Sequence, residues 1–341
     1  MFDFIYVEEE VADHPRVARI CARFPDAQQI VVERYGEVFN RRAQDFRLQK
    51  QRPALILANK HGRRILEAPE GYGIGSSRNF YFSHMLNCLY DCRYCFLQGM
   101  YQSAHMVVFV NYEEFKDDIH ALIKSEIGSA PAPDATPPHF FTGYDCDSLA
   151  MESVTGFASE FLSFFAAHPD ALFEFRTKSV AIDRLLATDP IENVVIAYSL
   201  TPEAVGKRFE IGAPPLASRL KAMARLQEAG WVVGLRFDPL IYYEGFRDGF
   251  RELLEAAFHK LDAGLLHSVC LGPFRLPRDF YKRMRRLYPE ESLLAYGLED
   301  SGGVYSYRSD LMLELSEFCS SELMTYIPDN IFFSTFAGTD R

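Results

Sequence analysis

Between residues 80 and 271 short apolar runs alternate with longer amphipathic ones, and that alternation narrows the possible folds more than any other feature of the chain. The runs 80–82, 139–142, 172–176, 193–200, 231–238 and 268–271 are rich in β-branched and aromatic residues and short enough to be strands. Stretches 112–124, 153–167, 181–187, 216–229 and 246–261 carry apolar residues at helical spacing. Strands that alternate with helices predict a parallel sheet joined by right-handed crossovers. About six such units between residues 78 and 275 predict an α/β fold, a partial (β/α)6 barrel, with its chemistry at the C-terminal ends of the strands. Residues 1–77 read as a small N-terminal α/β region, with strands at 4–7, 29–32 and 54–58 and a helix within 14–24. Residues 276–341 read as a helical C-terminal region, with helices at 279–287 and 310–324 and a turn at Gly302-Gly303. Loops are expected at Gly71, Gly73 and Gly75 and at 129–138, and a docked tail at the terminal FFSTFAG.

With 48% hydrophobic residues in 341, the chain can bury a sizeable core. No run of apolar residues is long enough to span a bilayer, and the first ten residues carry acids rather than a secretory signal, so a cytoplasmic protein is expected. The net charge of −11 disfavours general nucleic-acid binding, yet basic residues cluster. Eight lie between Arg41 and Arg64 against the single acid Asp45, and six between Arg275 and Arg286 against Asp279. Such stretches read either as solvated surface or as a phosphate-facing surface.

The run NCLYDCRYCFLQ places Cys88, Cys92 and Cys95 at Cys-x3-Cys-x2-Cys spacing. Thiolates are soft ligands, suited to iron–sulfur clusters or zinc. A structural zinc wants a fourth ligand, for which His84 is the near candidate in sequence. Three cysteines instead leave one corner of an iron–sulfur cubane open to an exogenous amine and carboxylate. This spacing, after a first strand and before strand–helix units, resembles the radical S-adenosylmethionine (SAM) superfamily. That resemblance implies a 4Fe–4S cluster, SAM as cofactor, and a 5′-deoxyadenosyl radical that abstracts hydrogen from substrate.

More of the chain resembles one branch, the spore photoproduct lyases. CRYCFLQ (92–98) is similar to that family's Cys-His-Tyr-Cys-Tyr-Leu-Gln, and FRTKSVAIDRLL (175–186) to its Phe-Val-Thr-Lys segment ending in Asp-His-Leu-Leu. The Tyr-Ser-Leu at 198–200, PLIYYEG (239–245) and FRLPRDFYKRMRRLYP (274–289) follow in the family's order. The resemblance implies that Lys178 holds the SAM carboxylate, that Ser199 bonds the same end, and that Tyr94 touches SAM or relays a hydrogen atom. It implies cleavage of a thymine dimer in UV-damaged DNA, with a reductant such as flavodoxin or ferredoxin.

Three departures stand out. The family's hydrogen-donating cysteine aligns with Tyr144, and Cys146 falls on a serine that touches SAM; strand alternation would turn Cys146 to the same side as Tyr144, as a displaced donor or a SAM-lining residue. Phe96 replaces a relay tyrosine and has no phenolic hydrogen. Glu299-Asp300 stand where basic residues would face DNA phosphate. Two alternatives therefore stay open: an enzyme of the same lineage with a non-DNA substrate, and a zinc-stapled binding module without catalysis. Among other residues, Arg236 and Asp238 at a strand end read as ligand-binding or as a surface pair, and Tyr242 and Tyr243 as stacking groups for a flipped base or as packing. Cys21, Cys270 and Cys319 read as core, and His84 as a hydrogen-bonded strand histidine.

Overall fold

The computed structural model describes residues 2–69, 72–128, 136–295 and 297–336. Gly71, residues 129–135 of the expected loop and the last two residues of FFSTFAG lie outside the described residues.

Six parallel strands form a curled half-barrel: β1 (Asn79–Phe82), β2 (His139–Thr142), β3 (Leu172–Thr177), β4 (Val194–Ser199), β5 (Val232–Leu240) and β6 (Leu266–Pro273). They neighbour one another in sequence order, as successive right-handed crossovers require. All six residues of β4 are buried, the signature of a parallel strand covered on both faces. Outside the sheet, Phe157, Phe161 and Phe165 recur at fourfold spacing along the helix Phe157–Ala166 and so share one face. Phe161 stacks on Phe82 of β1 (5.6 Å between centroids) and Phe165 on Phe173 of β3 (3.9 Å). Each such ring contributes roughly 2–3 kcal/mol by burial.

The expected helix at 153–167 is two, Glu152–Thr155 and Phe157–Ala166, broken at Gly156 where φ is +63°. The expected helix at 181–187 is only Asp183–Leu186. The hydroxyls of Thr177 and Ser179 accept from the backbone N–H groups of Ser179 and Ala181, local bonds that displace the first helical turn.

A second sheet has the order Gln28–Val32, Phe4–Glu8, Leu55–Ala58, Met106–Phe109, Met85–Leu86. Its last two strands flank the cysteine loop, and Met106–Phe109 has no counterpart among the strands expected from sequence. In exchange, Ile65–Glu67 of the N-terminal region pairs antiparallel with β1. At the far edge Phe332–Ser334 pairs parallel with β6, docking part of the terminal tail.

Beyond β6 the helices Arg278–Leu287 and Ser309–Leu323 are present, but the region is not helical throughout. Arg275–Pro277, Val304–Tyr307 and Leu298–Ser301 form a three-stranded antiparallel sheet. Gly302 and Gly303, at φ +60° and +94°, make its two-residue hairpin turn, a conformation glycine adopts without strain. No described helix is long and apolar enough to cross a membrane.

Candidate active site at the cysteine loop

The C-terminal ends of the barrel strands and the cysteine loop enclose a cavity of about 460 Å³, within the range of small-molecule sites. Cys88, Cys92, Cys95, Tyr94, Cys146, Lys178 and Ser199 all line it. All three loop cysteines are free thiols. Burial pushes the Cys88 thiol up to about 12 and raises those of Cys92 and Cys95. Among the described residues no three His, Cys, Asp or Glu are arranged to hold a single metal ion. Three thiols on one cavity lining, with no fourth ligand placed among them in the described residues, fit the three protein corners of a cluster whose fourth corner is open. His84 does not line this cavity; its ring stacks flat on Phe157 at 3.7 Å, and its Nδ1 has no partner, against the expected strand hydrogen bond.

The loop is fixed from several sides. Lys50 Nζ donates to the carbonyls of Cys88 (3.3 Å) and Tyr90 (3.4 Å). The two-residue strand Asp91–Cys92 pairs antiparallel with Glu210–Ile211, setting Cys92 opposite Glu210. Gln98 donates to Asp91 Oδ1 (2.8 Å) and accepts from the Tyr288 hydroxyl (2.9 Å). Arg283 Nη1 donates to the carbonyls of Gly99 (2.7 Å) and Met100 (2.8 Å), so part of the C-terminal basic stretch grips the short helix after the loop.

Lys178 follows β3, and its backbone N–H donates to Asp147 Oδ2 at 2.6 Å while the Thr177 hydroxyl donates to Oδ1 at 2.6 Å. Its ammonium lies 4.0 Å from Glu210 Oε1 and 5.6 Å above the Tyr94 ring. Burial alone would lower Lys178, but Cys92 and Glu210 outweigh it and the ammonium is held above the usual lysine value. The Tyr94 hydroxyl donates to Glu210, and burial with that neighbouring carboxylate drives its pKa well up. Glu210 went unremarked in sequence; only its place between apolar Phe209 and Ile211 hinted at a buried acid.

Strand alternation does not carry from Tyr144 to Cys146. β2 ends at Thr142, and Gly143 turns the chain at φ +82°. Tyr144 packs against Tyr81 (4.4 Å), Phe96 (5.2 Å) and Tyr72 (5.5 Å). Cys146 packs instead with Met85, Met106 and Val108 of the second sheet, though both residues border the cavity. A Cβ on Gly143 would come within 2.6 Å of the Arg176 carbonyl and of Ser148 Oγ. Gly143→Ala is therefore expected to cost about 1–3 kcal/mol from backbone strain and contact together. Thermal melting checks this; an unchanged melting temperature would refute it.

Arg236 is not at the cavity. It is fully buried, donating to Glu174 and to Ser268 Oγ (2.9 Å), and it makes no pair with Asp238. Asp238 does line the cavity and takes Arg275 at 3.2 Å. Tyr242 and Tyr243 lie outside the cavity lining, against Phe246. Asp300 is engaged with Arg278, whose Nη2 donates at 2.9 Å. Cys21, Cys270 and Cys319 are buried.

A six-stranded half-barrel with a three-cysteine loop after its first strand and a SAM-sized cavity at its strand ends defines a radical SAM enzyme. Comparison with known proteins narrows the class. The sequence model of the family described as spore photoproduct lyase matches residues 76–292, and the chain belongs to that family. It is 26% identical to the spore photoproduct lyase of Bacillus subtilis (strain 168) over 260 residues, 71% of this chain and 72% of that protein. A similar relative is the spore photoproduct lyase of Geobacillus sp. (strain Y412MC61), 26% identical over 251 residues, with 71% and 72% covered. The fold matches a solved spore photoproduct lyase double mutant with bound AdoMet and dinucleoside spore photoproduct, at TM-score 0.83 and 18% identity over 98% of both chains. A second solved structure, a spore photoproduct lyase complexed with dinucleoside spore photoproduct, matches at TM-score 0.80, also at 18% identity over 98% of both chains.

Proposed function

We propose that this chain cleaves a thymine dimer in UV-damaged DNA by radical SAM chemistry. The observation that carries the reading is the convergence of Cys88, Cys92, Cys95, Tyr94, Lys178, Ser199 and Cys146 on one cavity at the strand ends. The three cysteines would hold the 4Fe–4S cluster. Lys178 and Ser199 would bind the carboxylate end of SAM, with Tyr94 beside them. When bound, cluster and SAM together supply a 5′-deoxyadenosyl radical that takes hydrogen from the methylene bridge of the dimer. The chain's part is to orient both molecules and to exclude water around them.

Cys146 is our hydrogen-atom donor to the product. Burial raises its pKa well above the usual thiol value, which keeps the S–H intact beside the cavity. Phe96, against Tyr144 and Phe280, has no phenolic hydrogen to relay, while Tyr94 lies between two of the loop cysteines with its phenol on the cavity lining. A flavodoxin or ferredoxin would supply the electron, and the setting would be cytoplasmic.

The test is anaerobic. Reconstituted protein is reduced and given SAM and DNA bearing the spore photoproduct, and thymidine and 5′-deoxyadenosine are quantified. Restored thymidine, read after digestion of the DNA, is expected, and in Cys146→Ala it should fall about tenfold or more while deoxyadenosine persists. Deoxyadenosine without restored thymidine from the native protein would refute the repair reading. It would favour a smaller, non-DNA substrate for the same chemistry. That second reading is supported by the acids that occupy two arginines of the basic stretch, Asp238 on Arg275 and Asp300 on Arg278.

A further inference from the structure

Glu210 and Arg219 form a buried ion pair just outside the cavity, and neither side chain lines it. Arg219, from the helix Leu216–Glu228, gives Nη2 to Glu210 Oε2, Nη1 to the Ser199 carbonyl at 3.1 Å and Nε to the Pro214 carbonyl at 2.7 Å. The other oxygen of Glu210 accepts from the Tyr94 hydroxyl and lies 4.0 Å from Lys178 Nζ. Its backbone pairs with Cys92. One ion pair thus touches the Tyr94 and Lys178 side chains and the backbone of Ser199, the three residues assigned above to SAM.

A buried pair adds little net stability over apolar packing, so stability is a weak reason for this one. Its placement has a stronger consequence. Glu210 faces two cations, and Arg219 makes the direct hydrogen bond, from Nη2 alone. The Lys178 ammonium keeps only the longer approach to Glu210, and the trio carries one net positive charge toward the cavity. Without Arg219, the carboxylate would have Lys178 as its sole cation and would also face an incoming carboxylate with an unbalanced negative charge.

We propose that Arg219 is a positioning residue for SAM: by neutralising Glu210 it keeps the Lys178 ammonium available to the ligand's carboxylate. The inference rests on the radical SAM reading and deepens it.

The test is a double-mutant cycle on the reconstituted, oxidised holoprotein, with SAM affinity read by equilibrium dialysis so that no turnover is needed. Arg219→Met should weaken SAM binding by about tenfold or more. Glu210→Gln should bind no more weakly than the native protein. The double variant should recover most of the lost affinity, because the competing carboxylate is gone. A merely structural pair makes the opposite forecast, with the double variant no better than Arg219→Met. Arg219→Lys, which keeps the charge but cannot make all three hydrogen bonds, should bind more tightly than Arg219→Met, and it carries the test with the double variant if Arg219→Met does not fold. The proposal is overturned if Arg219→Met binds SAM like the native protein, if Glu210→Gln itself loses affinity, or if the double variant stays weak. Failure of the native protein to bind SAM would instead bring down the radical SAM reading and this inference with it.

Discussion

Cys92→Ala is expected to lose most of its iron and to form no measurable 5′-deoxyadenosine from SAM. The loop offers three thiols, and removing one leaves two ligands for a cluster that needs a protein thiolate at each of three corners. The loss should lie well beyond the about 10–100-fold that follows removal of an outer partner of a ligand. Cys92 is also the cysteine whose backbone pairs with Glu210, and alanine there keeps that pairing while removing the thiol. Cys270→Ala is the matched control: Cys270 is buried in β6, outside the cavity lining, and its variant should keep iron and activity. Iron and deoxyadenosine at native levels in Cys92→Ala would sink the ligand assignment. Stoichiometric zinc in a colourless native protein would replace it with the zinc-stapled module.

The second large effect concerns stability. Arg236→Met is expected to cost about 3 kcal/mol, because it leaves the fully buried Glu174 carboxylate with a single cation. Arg176 remains, its Nε 2.9 Å from Glu174 Oε1, which keeps the loss at the low end for a broken buried pair. For a chain of this length that corresponds to a fall in melting temperature of about 4 °C. Glu174→Gln combined with Arg236→Met should be milder than Arg236→Met alone, since the buried carboxylate is then gone and the remaining cation, Arg176, is less deeply buried.

The pH dependence follows from the same pair. Burial pushes the Glu174 carboxyl up, but Arg236 and Arg176 outweigh it and hold the group at about 2, below its ordinary 4.5. A carboxyl depressed in the folded state stabilises the fold above its unfolded pKa, and that contribution fades as pH falls toward the folded value. The gap in melting temperature between native protein and Arg236→Met should therefore be widest above pH 4.5 and shrink as pH drops toward 2. A gap that stays constant with pH would show that the cost of the substitution is packing rather than charge.

Local pattern and tertiary placement divide this protein cleanly. The strand–helix alternation marked all six barrel strands, because each is a short apolar run bounded by turns and its period is a property of neighbouring residues. The cysteine loop was legible for the same reason: its three thiols lie within eight residues. Where local bonding competed with the pattern, at Thr177, Ser179 and Gly156, helices came out shorter or split. The exchange of Ile65–Glu67 and Met106–Phe109 between the two sheets was invisible, since sheet partners are chosen by long-range packing.

The sequence by itself determined a parallel α/β half-barrel and a loop that sets three cysteines close together. Only the tertiary structure decided what surrounds them. Glu210 meets Tyr94 across 116 residues and Arg236 meets Glu174 across 62, and no periodicity encodes such meetings. Tyr144 and Cys146, two residues apart, part company because Gly143 ends the strand. The physical reason is the same throughout: backbone period is written in adjacent residues, whereas the partner of a buried charge is fixed only when the sheet closes and water is excluded.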